Sequence, residues 1–173
     1  MRLMIISLVL LLSACSTSYP NKDVTGMTLP TMTGETLTKE TVTLPSLFDS
    51  SKTLLLIGYK QDTQFDIDRW LIGLDMTETE VKAYEIPAIQ GMFPRMFSTQ
   101  INNGMRRGIP KELWGGVITL YGDGDNMQAF TGNEQGNNTR VMLINSKGEI
   151  LYFYDRGFSV QALKDLRKII YSQ

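Results

Sequence analysis

The sequence predicts an α/β domain, a three-layer sandwich in which helices flank a central mixed sheet and a hairpin precedes that sheet. Apolar runs of strand length alternate with segments of helical periodicity through the middle of the chain. This alternation is typical of parallel strands joined by crossover helices. A second hairpin signal and an amphipathic helix follow near the end of the chain. They are expected to add antiparallel strands and a further covering helix.

The first elements are a hairpin and a buried strand. Two threonine-rich stretches within residues 26–48 flank Gly34. Threonine and valine favour strands and glycine favours a turn, so we expect a hairpin that turns at Gly34. The segment LLLIGY, residues 54–59, is a continuous apolar run. Such a run is typical of a strand that is buried on both faces.

An amphipathic helix is predicted next, over residues 61–75. Ile67, Leu71 and Leu74 are spaced at i, i+4 and i+7, which places them on one helical face. Asp62 or Thr63 can cap the start of this helix.

A strand, a helix and a third strand follow. The second strand is expected over residues 81–89 and the third over residues 116–124. Between them, Pro94 suits the first turn of a helix that stops near Gly104 or Gly108.

The C-terminal part of the chain contains a hairpin and a helix. Residues 126–138 form a polar loop or a short helix, and residues 140–155 form two strands around a turn at residues 146–148. Ser159 is the expected N-cap of the last helix. Four apolar residues of that helix share a face: Val160, Leu163, Leu166 and Ile170.

The start of the chain has the features of a secretory leader. Arg2 precedes an apolar run over residues 3–12 that is too short to span a bilayer. The tail Leu12-Ser13-Ala14-Cys15 resembles the lipobox of bacterial lipoproteins. That resemblance implies cleavage before Cys15 and acylation of both its sulfur and its new amine. The alternative is an ordinary secretory signal with a chance cysteine.

The leader sets the predicted domain boundaries. Residues 1–14 are the lipoprotein signal peptide, residues 15–25 a lipidated tether, and residues 26–173 the folded domain. In lipoproteins, a serine such as Ser16 after the acylated cysteine, in place of aspartate, implies the outer membrane. We therefore expect a lipid-anchored protein on the periplasmic face of the outer membrane of a Gram-negative bacterium.

The composition excludes several kinds of chemistry. The chain has no histidine, which removes the commonest general base and metal ligand. Its only cysteine is Cys15, so acylation of Cys15 leaves no free thiol for disulfide exchange or peroxide reduction. The formal net charge is −1, which gives no support to nucleic-acid binding. No cofactor and no metal are expected.

The order of elements resembles that of thioredoxin-like proteins, in particular the peroxiredoxin and lipid-tethered reductase branch. In such enzymes the catalytic cysteine follows the first buried strand at the start of a helix, which here is residues 59–65 and contains no cysteine. The proline expected before the fourth main strand is also missing, since residues 138–141 read Asn-Thr-Arg-Val. Some peroxiredoxins carry an arginine where Arg140 stands. The other interpretation of Arg140 is a structural ion pair.

A second resemblance lies further along the chain. Residues 103–110 (NGMRRGIP), residues 118–123 (ITLYGD) and the closing VMLINSKGEILYFYDRGFS resemble the mitochondrial ATP synthase assembly-factor family. Members of that family belong to the thioredoxin superfamily, lack a conserved redox pair and act as chaperones for a membrane subunit. The resemblance implies that this chain binds a protein partner.

Two further features each have two interpretations. The methionine-rich helix around Met92 and Met96 provides either an adaptable binding surface or core packing. The acidic segment Asp123-Gly124-Asp125-Asn126 is either a turn that ends a strand or a calcium site, although a calcium site needs more ligands and a later glutamate.

These observations predict a redox-inactive, membrane-anchored lipoprotein that binds an envelope protein or assists its assembly. Its partners would be membrane lipid, through acylated Cys15, and that protein. The rival is a divergent enzyme of the same fold that uses a thiol in trans or carboxylates such as Asp62 and Asp66, and a passive structural lipoprotein is a third possibility. The expected partner-binding residues lie at the edge where the redox site would be: Tyr59, Lys60, Gln61, Arg106, Arg107, Trp114 and Arg140.

Overall fold

The computed structural model describes residues 17–172, and its centre is a four-stranded mixed sheet. The strands are β3 (Lys52–Gly58), β4 (Lys82–Pro87), β6 (Arg140–Asn145) and β7 (Ile150–Tyr154), arranged in the order β4-β3-β6-β7. β3 runs parallel to β4 and antiparallel to β6, and β7 is antiparallel to β6. The predicted mixed sheet, with its closing antiparallel hairpin, is therefore present.

The N-terminal hairpin is also present, but it does not turn at Gly34. It consists of β1 (Met32–Thr36) and β2 (Thr41–Leu44), and Lys39 in the turn between them has a φ of 72°. Gly34 lies inside β1, where a Cβ atom would approach Ile118 Cγ2 to 2.6 Å. Close packing against the neighbouring strand, and not a turn, therefore explains this glycine.

The predicted third strand is shorter than expected. β5 covers only Ile118–Thr119 and pairs antiparallel with β1, which gives a second sheet of order β2-β1-β5. Isolated parallel bridges connect the flanks of β5 to β4, and Leu120 N donates to Pro87 O at 2.8 Å. The two sheets are thus in hydrogen-bonded contact along β4.

Two long helices cover one face of the central sheet. A 3₁₀ turn over Gln61–Thr63 leads into α1 (Gln64–Met76), and α5 (Val160–Tyr171) ends the described chain. The Ser159 side chain accepts a hydrogen bond from Ala162 N at 3.0 Å, so the predicted N-cap of α5 is confirmed. Val160, however, is exposed because the buried face of α5 begins one turn later. The apolar layer between these helices and the sheet includes Leu54, Leu56, Ile67, Trp70, Leu74, Val141, Leu143, Leu163, Leu166 and Ile170.

The other face of the sheet packs against the hairpin and a short helix. α4 (Gly124–Thr131) occupies the segment that was expected to be a loop or a short helix. Alternation along β3 sends Leu55 and Ile57 to this face, where they join Met127 of α4. The sheet therefore has a covering layer on each side, as the predicted three-layer arrangement requires.

The helix predicted from Pro94 is broken into two. α2 covers Met92–Met96 and α3 covers Ser98–Gly108, with Phe97 between them at a φ of −108°. Of the two expected end points, Gly108 is the one observed. The side chains of Met92, Met96 and Phe97 are exposed, so the alternative in which these residues fill the core is wrong.

Candidate functional site

The segment that would carry a catalytic cysteine follows β3 and begins the helical turn. Tyr59 is half-buried, whereas Lys60 and Gln61 are exposed. Thr63 is buried; its hydroxyl accepts from Lys60 N at 3.2 Å and donates to Gly136 O at 2.9 Å. These bonds join the start of α1 to the loop before β6.

Arg140 lies beside this segment and is fully buried. It is the first residue of β6 and pairs with Ile57 of β3. Its guanidinium donates to Gln135 O at 2.8 Å, to Asn138 O at 2.9 Å and to Asn21 Oδ1 at 3.1 Å. Within residues 17–172 no carboxylate forms a salt bridge with it. The expected ion pair is therefore replaced by hydrogen bonds to neutral acceptors.

Tyr59 makes a further contact with this guanidinium, whose Nε is buried without a hydrogen-bond partner among residues 17–172. The Arg140 guanidinium lies over the Tyr59 ring at 4.5 Å from its centroid, within the range of a cation–π contact. The Tyr59 hydroxyl hydrogen-bonds to the Thr131 hydroxyl. Burial raises the pKa of Tyr59 to about 12, although the Thr131 hydrogen bond and the Arg140 charge act in the opposite direction. Burial also lowers the pKa of Arg140. We call Tyr59, Thr131 and Arg140 the buried triad.

The N-terminal segment covers this end of the molecule. Asn21 Oδ1 accepts from Glu134 N at 3.0 Å as well as from Arg140. Tyr19 and Asn133 exchange two hydrogen bonds, of 2.7 and 2.9 Å. Contacts between the segment and the domain thus begin well before residue 26.

A glycine and a valine fix the course of this segment. At Gly132 a Cβ atom would lie 2.3 Å from Asn21 Cα, so only glycine permits the close approach. Val24 is fully buried in the core. Residues 17–24 of the predicted tether therefore lie against the domain. Cys15, with the predicted signal peptide of residues 1–14, lies outside the described residues.

The two carboxylates considered for acid–base chemistry differ in their surroundings. Asp62 is exposed in the 3₁₀ turn. Asp66 is buried and accepts from Thr139 N at 2.9 Å and Phe158 N at 2.8 Å. Asp66 thus holds together the loops at either end of the closing hairpin.

The remaining predicted residues lie elsewhere. Val117 pairs in parallel with Glu85, near the middle of β4. Trp114 is three residues before Val117, so it lies toward the N-terminal end of the parallel strands. Tyr59 lies beyond their C-terminal end, because Gly58 pairs with Pro87. The structure brings Tyr59, Lys60, Gln61 and Arg140 together, and it places Arg106, Arg107 and Trp114 at a second location.

The second location is an open cleft with a basic lining. Arg106 Nε donates to Leu37 O at 2.7 Å, and its guanidinium lies 5.8 Å from the centre of the Trp114 ring. Trp114 is half-buried, and its Nε1 donates to Ile109 O at 2.9 Å. The cleft has a volume of about 380 Å³ and is lined by Leu37, Thr38, Lys39, Asn103, Arg106, Lys111 and Trp114. We call it the basic cleft.

Sequence reasoning missed several residues at both locations. Asn21 and Thr131 complete the surroundings of Arg140 and Tyr59, and Lys39 reaches the basic cleft from the β1–β2 turn. Asn21 and Arg140 are separated by 119 positions. No local pattern in the sequence marks such a pair.

The acidic segment after β5 is the start of α4, with Asp123 at the N-cap position, so the turn expected there is wrong. Asp123 accepts from Thr33 N and from Asn126 Nδ2, both at 2.7 Å. Over the described part of the chain, no group of three or more acidic side chains is placed to hold a metal ion. Among the helices of residues 17–172, none has the length and apolar character needed to cross a bilayer.

Comparisons with known proteins find similarity in structure and not in sequence. No protein-family model matches the chain, and a search of curated proteins returns no significant match.

A thiol peroxidase from Chromobacterium violaceum is similar over 88% of this chain and 90% of its own, with a TM-score of 0.58 and 13% identity. BsSco, a member of the Sco family of cytochrome c oxidase assembly proteins, matches over 88% and 99% of the two chains with a TM-score of 0.58 and 12% identity. The exposed lipoprotein thioredoxin of Streptococcus pneumoniae matches over 80% and 98%, with a TM-score of 0.54 and 10% identity. The fold of this chain is thioredoxin-like, of the peroxiredoxin type.

Proposed function

We propose that this protein is a redox-inactive, membrane-anchored member of the thioredoxin-like fold that binds an envelope protein partner or assists its assembly. The observation that carries the proposal is the buried triad, which lies beside residues 59–65. The resemblance to thioredoxin-like enzymes implies a catalytic cysteine in that segment, and this chain has none there. In this proposal the acylated Cys15 is the anchor, and the protein lies on the periplasmic face of the outer membrane. Both statements depend on the lipobox resemblance and on Ser16.

The buried triad supports a role without redox chemistry. A reactive thiol needs a partly exposed, electropositive position, and the cation at this position is enclosed. The guanidinium of Arg140 has no exposed surface and donates to three acceptors of the protein itself. It is therefore not available to bind a peroxide or an anionic substrate.

Support for a protein partner comes from two structural relatives and from the sequence. BsSco belongs to a family of cytochrome c oxidase assembly proteins, and the pneumococcal relative is an exposed lipoprotein thioredoxin. The NGMRRGIP segment, residues 103–110, resembles the ATP synthase assembly factors. BsSco and the ATP synthase assembly factors are named for the assembly of another protein, and the pneumococcal relative is named as a lipoprotein.

We place the partner at the basic cleft. Lys39 and Lys111 are exposed there, and Trp114 is half-buried. Tryptophan and arginine are over-represented among the residues that dominate binding energy. Because Arg106 is a third lining cation, an acidic segment of the partner is the complementary ligand.

Photocrosslinking in intact cells tests this proposal. A crosslinker at Lys111 should capture a defined partner, and Lys39→Glu should abolish that capture. The matched control is Lys164→Glu, which reverses an equally exposed charge on α5 and should leave capture unchanged. Equal capture by both variants would show that the cleft is not the binding surface. Absence of any captured protein would favour the passive structural role.

The enzymatic alternative is tested by peroxide and disulfide turnover. We expect no turnover by the mature protein with or without an added thiol. Turnover by a soluble Cys15→Ser chain that disappears on Asp62→Asn would instead establish an enzyme that uses carboxylates. Turnover only in the presence of a second thiol protein would establish an enzyme that acts in trans.

A further inference from the structure

The point at which the chain leaves the domain toward Cys15 lies beside the exposed methionines of α2. The Thr17 carbonyl accepts from two side-chain amides, Asn133 Nδ2 at 2.8 Å and Gln90 Nε2 at 3.1 Å. Gln90 is two residues before Met92, the first residue of α2. The backbone at Thr17 is therefore held next to the start of α2.

Three apolar side chains near this point are exposed in the described chain. Met92 is 77% exposed, Met96 69% and Phe97 49%. Met92 and Met96 are one helical turn apart and so lie on the same face of α2. We call Met92, Met96 and Phe97 the methionine patch. Exposed apolar groups that cluster in this way mark contact sites for proteins or membranes.

The patch could contact a protein or a membrane, and the short length of chain between the patch and the proposed anchor favours a membrane. Cys15 is two residues before Thr17, and two residues span at most about 7 Å. Gln90 and Met92 are separated by the same number of residues. An acyl chain on Cys15, as the proposed function has it, would hold the methionine patch close to the bilayer surface, where the high effective concentration favours even weak insertion.

We propose that the methionine patch inserts into the interfacial region of the bilayer and so fixes the orientation of the domain on the membrane. This proposal rests on the lipid anchor of the proposed function. The charged groups near α2 are of both signs, because Arg95 of α2 is exposed and the Asp125 carboxylate accepts from Gly91 N at 3.5 Å. The proposed contact is therefore apolar and not electrostatic. Apolar side chains at such an interface enter about 5–10 Å into the boundary between headgroups and acyl chains.

A fluorescent label on the patch tests the insertion. The full acylated chain carrying Met96→Cys is labelled with the environment-sensitive dye NBD. It is then reconstituted into vesicles of phosphatidylethanolamine and phosphatidylglycerol that contain brominated acyl chains as quenchers. Acylated Cys15 is a thioether and does not react with the label. A mass spectrum of each preparation reports whether the acyl groups are present.

The matched control is Met76→Cys. Met76 is 78% exposed on the last turn of α1. α1 returns from the C-terminal end of β3 toward the start of β4, so Met76 lies at the far end of the sheet from Gln90. We expect NBD at position 96 to be blue-shifted and quenched several-fold more than NBD at position 76.

Each result is informative. Equal quenching at the two positions in an acylated protein would overturn the insertion and leave the anchor intact. A chain that reaches the envelope without acyl groups would overturn both proposals. A blue shift at position 96 that grows with protein concentration, without quenching by the brominated lipid, would show that a second copy covers the patch and would also overturn the insertion.

Discussion

Replacement of Arg140 by methionine tests whether the buried triad is a structural device. Methionine keeps the unbranched apolar stem of arginine and removes its charge. The change deletes three hydrogen bonds, of 2.8, 2.9 and 3.1 Å, together with the contact over the Tyr59 ring. Gln135 O keeps its bond from Asn138 N and Asn21 Oδ1 keeps its bond from Glu134 N, whereas the Asn138 carbonyl loses its donor.

The expected loss of stability follows from these contacts. Hydrogen bonds to a charged group contribute about 1.5–3 kcal/mol each, and the cation–π contact adds about 1–2 kcal/mol. Relief of the cost of burying a guanidinium offsets several kcal/mol. The net expectation is a decrease of about 3 kcal/mol in the free energy of unfolding, equivalent to about 6–12 °C in Tm for a chain of this size.

Urea unfolding and thermal melting of the soluble domain provide the assay. Arg95→Met is the control, because Arg95 is exposed and a surface substitution there should change stability by less than about 0.5 kcal/mol. An Arg140→Met protein as stable as the wild type, or more stable, would refute the reasoning. It would mean that Arg140 is retained at a cost to stability, as expected of a residue kept to bind a ligand.

Three further outcomes follow from the contacts described. Burial raises the pKa of Tyr59 from 10.0 to about 12, so the stability it contributes is present below pH 10 and is lost as the pH rises toward 12. The advantage of the wild type over Tyr59→Phe in urea titrations should therefore shrink by about 2–3 kcal/mol across that window. Asp66→Asn should lower the free energy of unfolding by about 1–3 kcal/mol, because it weakens two hydrogen bonds from backbone amides. An unchanged melting temperature would show that the two loops do not depend on that carboxylate. Gly34→Ala should lower the free energy of unfolding by about 1–3 kcal/mol through overpacking. Gly115→Ala is the control, because no atom of the described residues lies within 4 Å of its new Cβ. Similar melting temperatures of the two variants would contradict the packing described for β1.

Where an element depends on a local sequence pattern, the sequence predicted the fold well. The alternation of β3, α1 and β4 follows from hydrophobic periodicity, and the hairpin of β6 and β7 turns at residues 146–148 as expected. Local patterns were ambiguous where two interpretations share the same residue types. A glycine such as Gly34 is compatible with a turn and also with a strand that packs closely against a neighbouring strand. Only its packing against Ile118 distinguishes the two.

The candidate site was predicted in part, for the same reason. Residues 59–65, which follow β3 and contain no cysteine, mark the candidate site, and Tyr59 and Arg140 do lie together there. Arg106 and Trp114 were expected to lie close to Tyr59 and Arg140, but the structure places them at the other end of the parallel strands. Their position depends on the register of β5 beside β4, which the sequence does not reveal.

By itself, the sequence determined the order of the elements, the alternating burial along the strands and the lack of histidine and of any cysteine other than Cys15. These properties depend on neighbouring residues or on composition, so the sequence is sufficient to establish them. The tertiary structure decided that residues 17–24 lie on the domain, that Arg140 is enclosed by Asn21 and Tyr59, and that the methionines of α2 face outward. Each of these is a contact, or the lack of one, between segments far apart in the chain, and the free energy of such contacts depends on packing that no local pattern records.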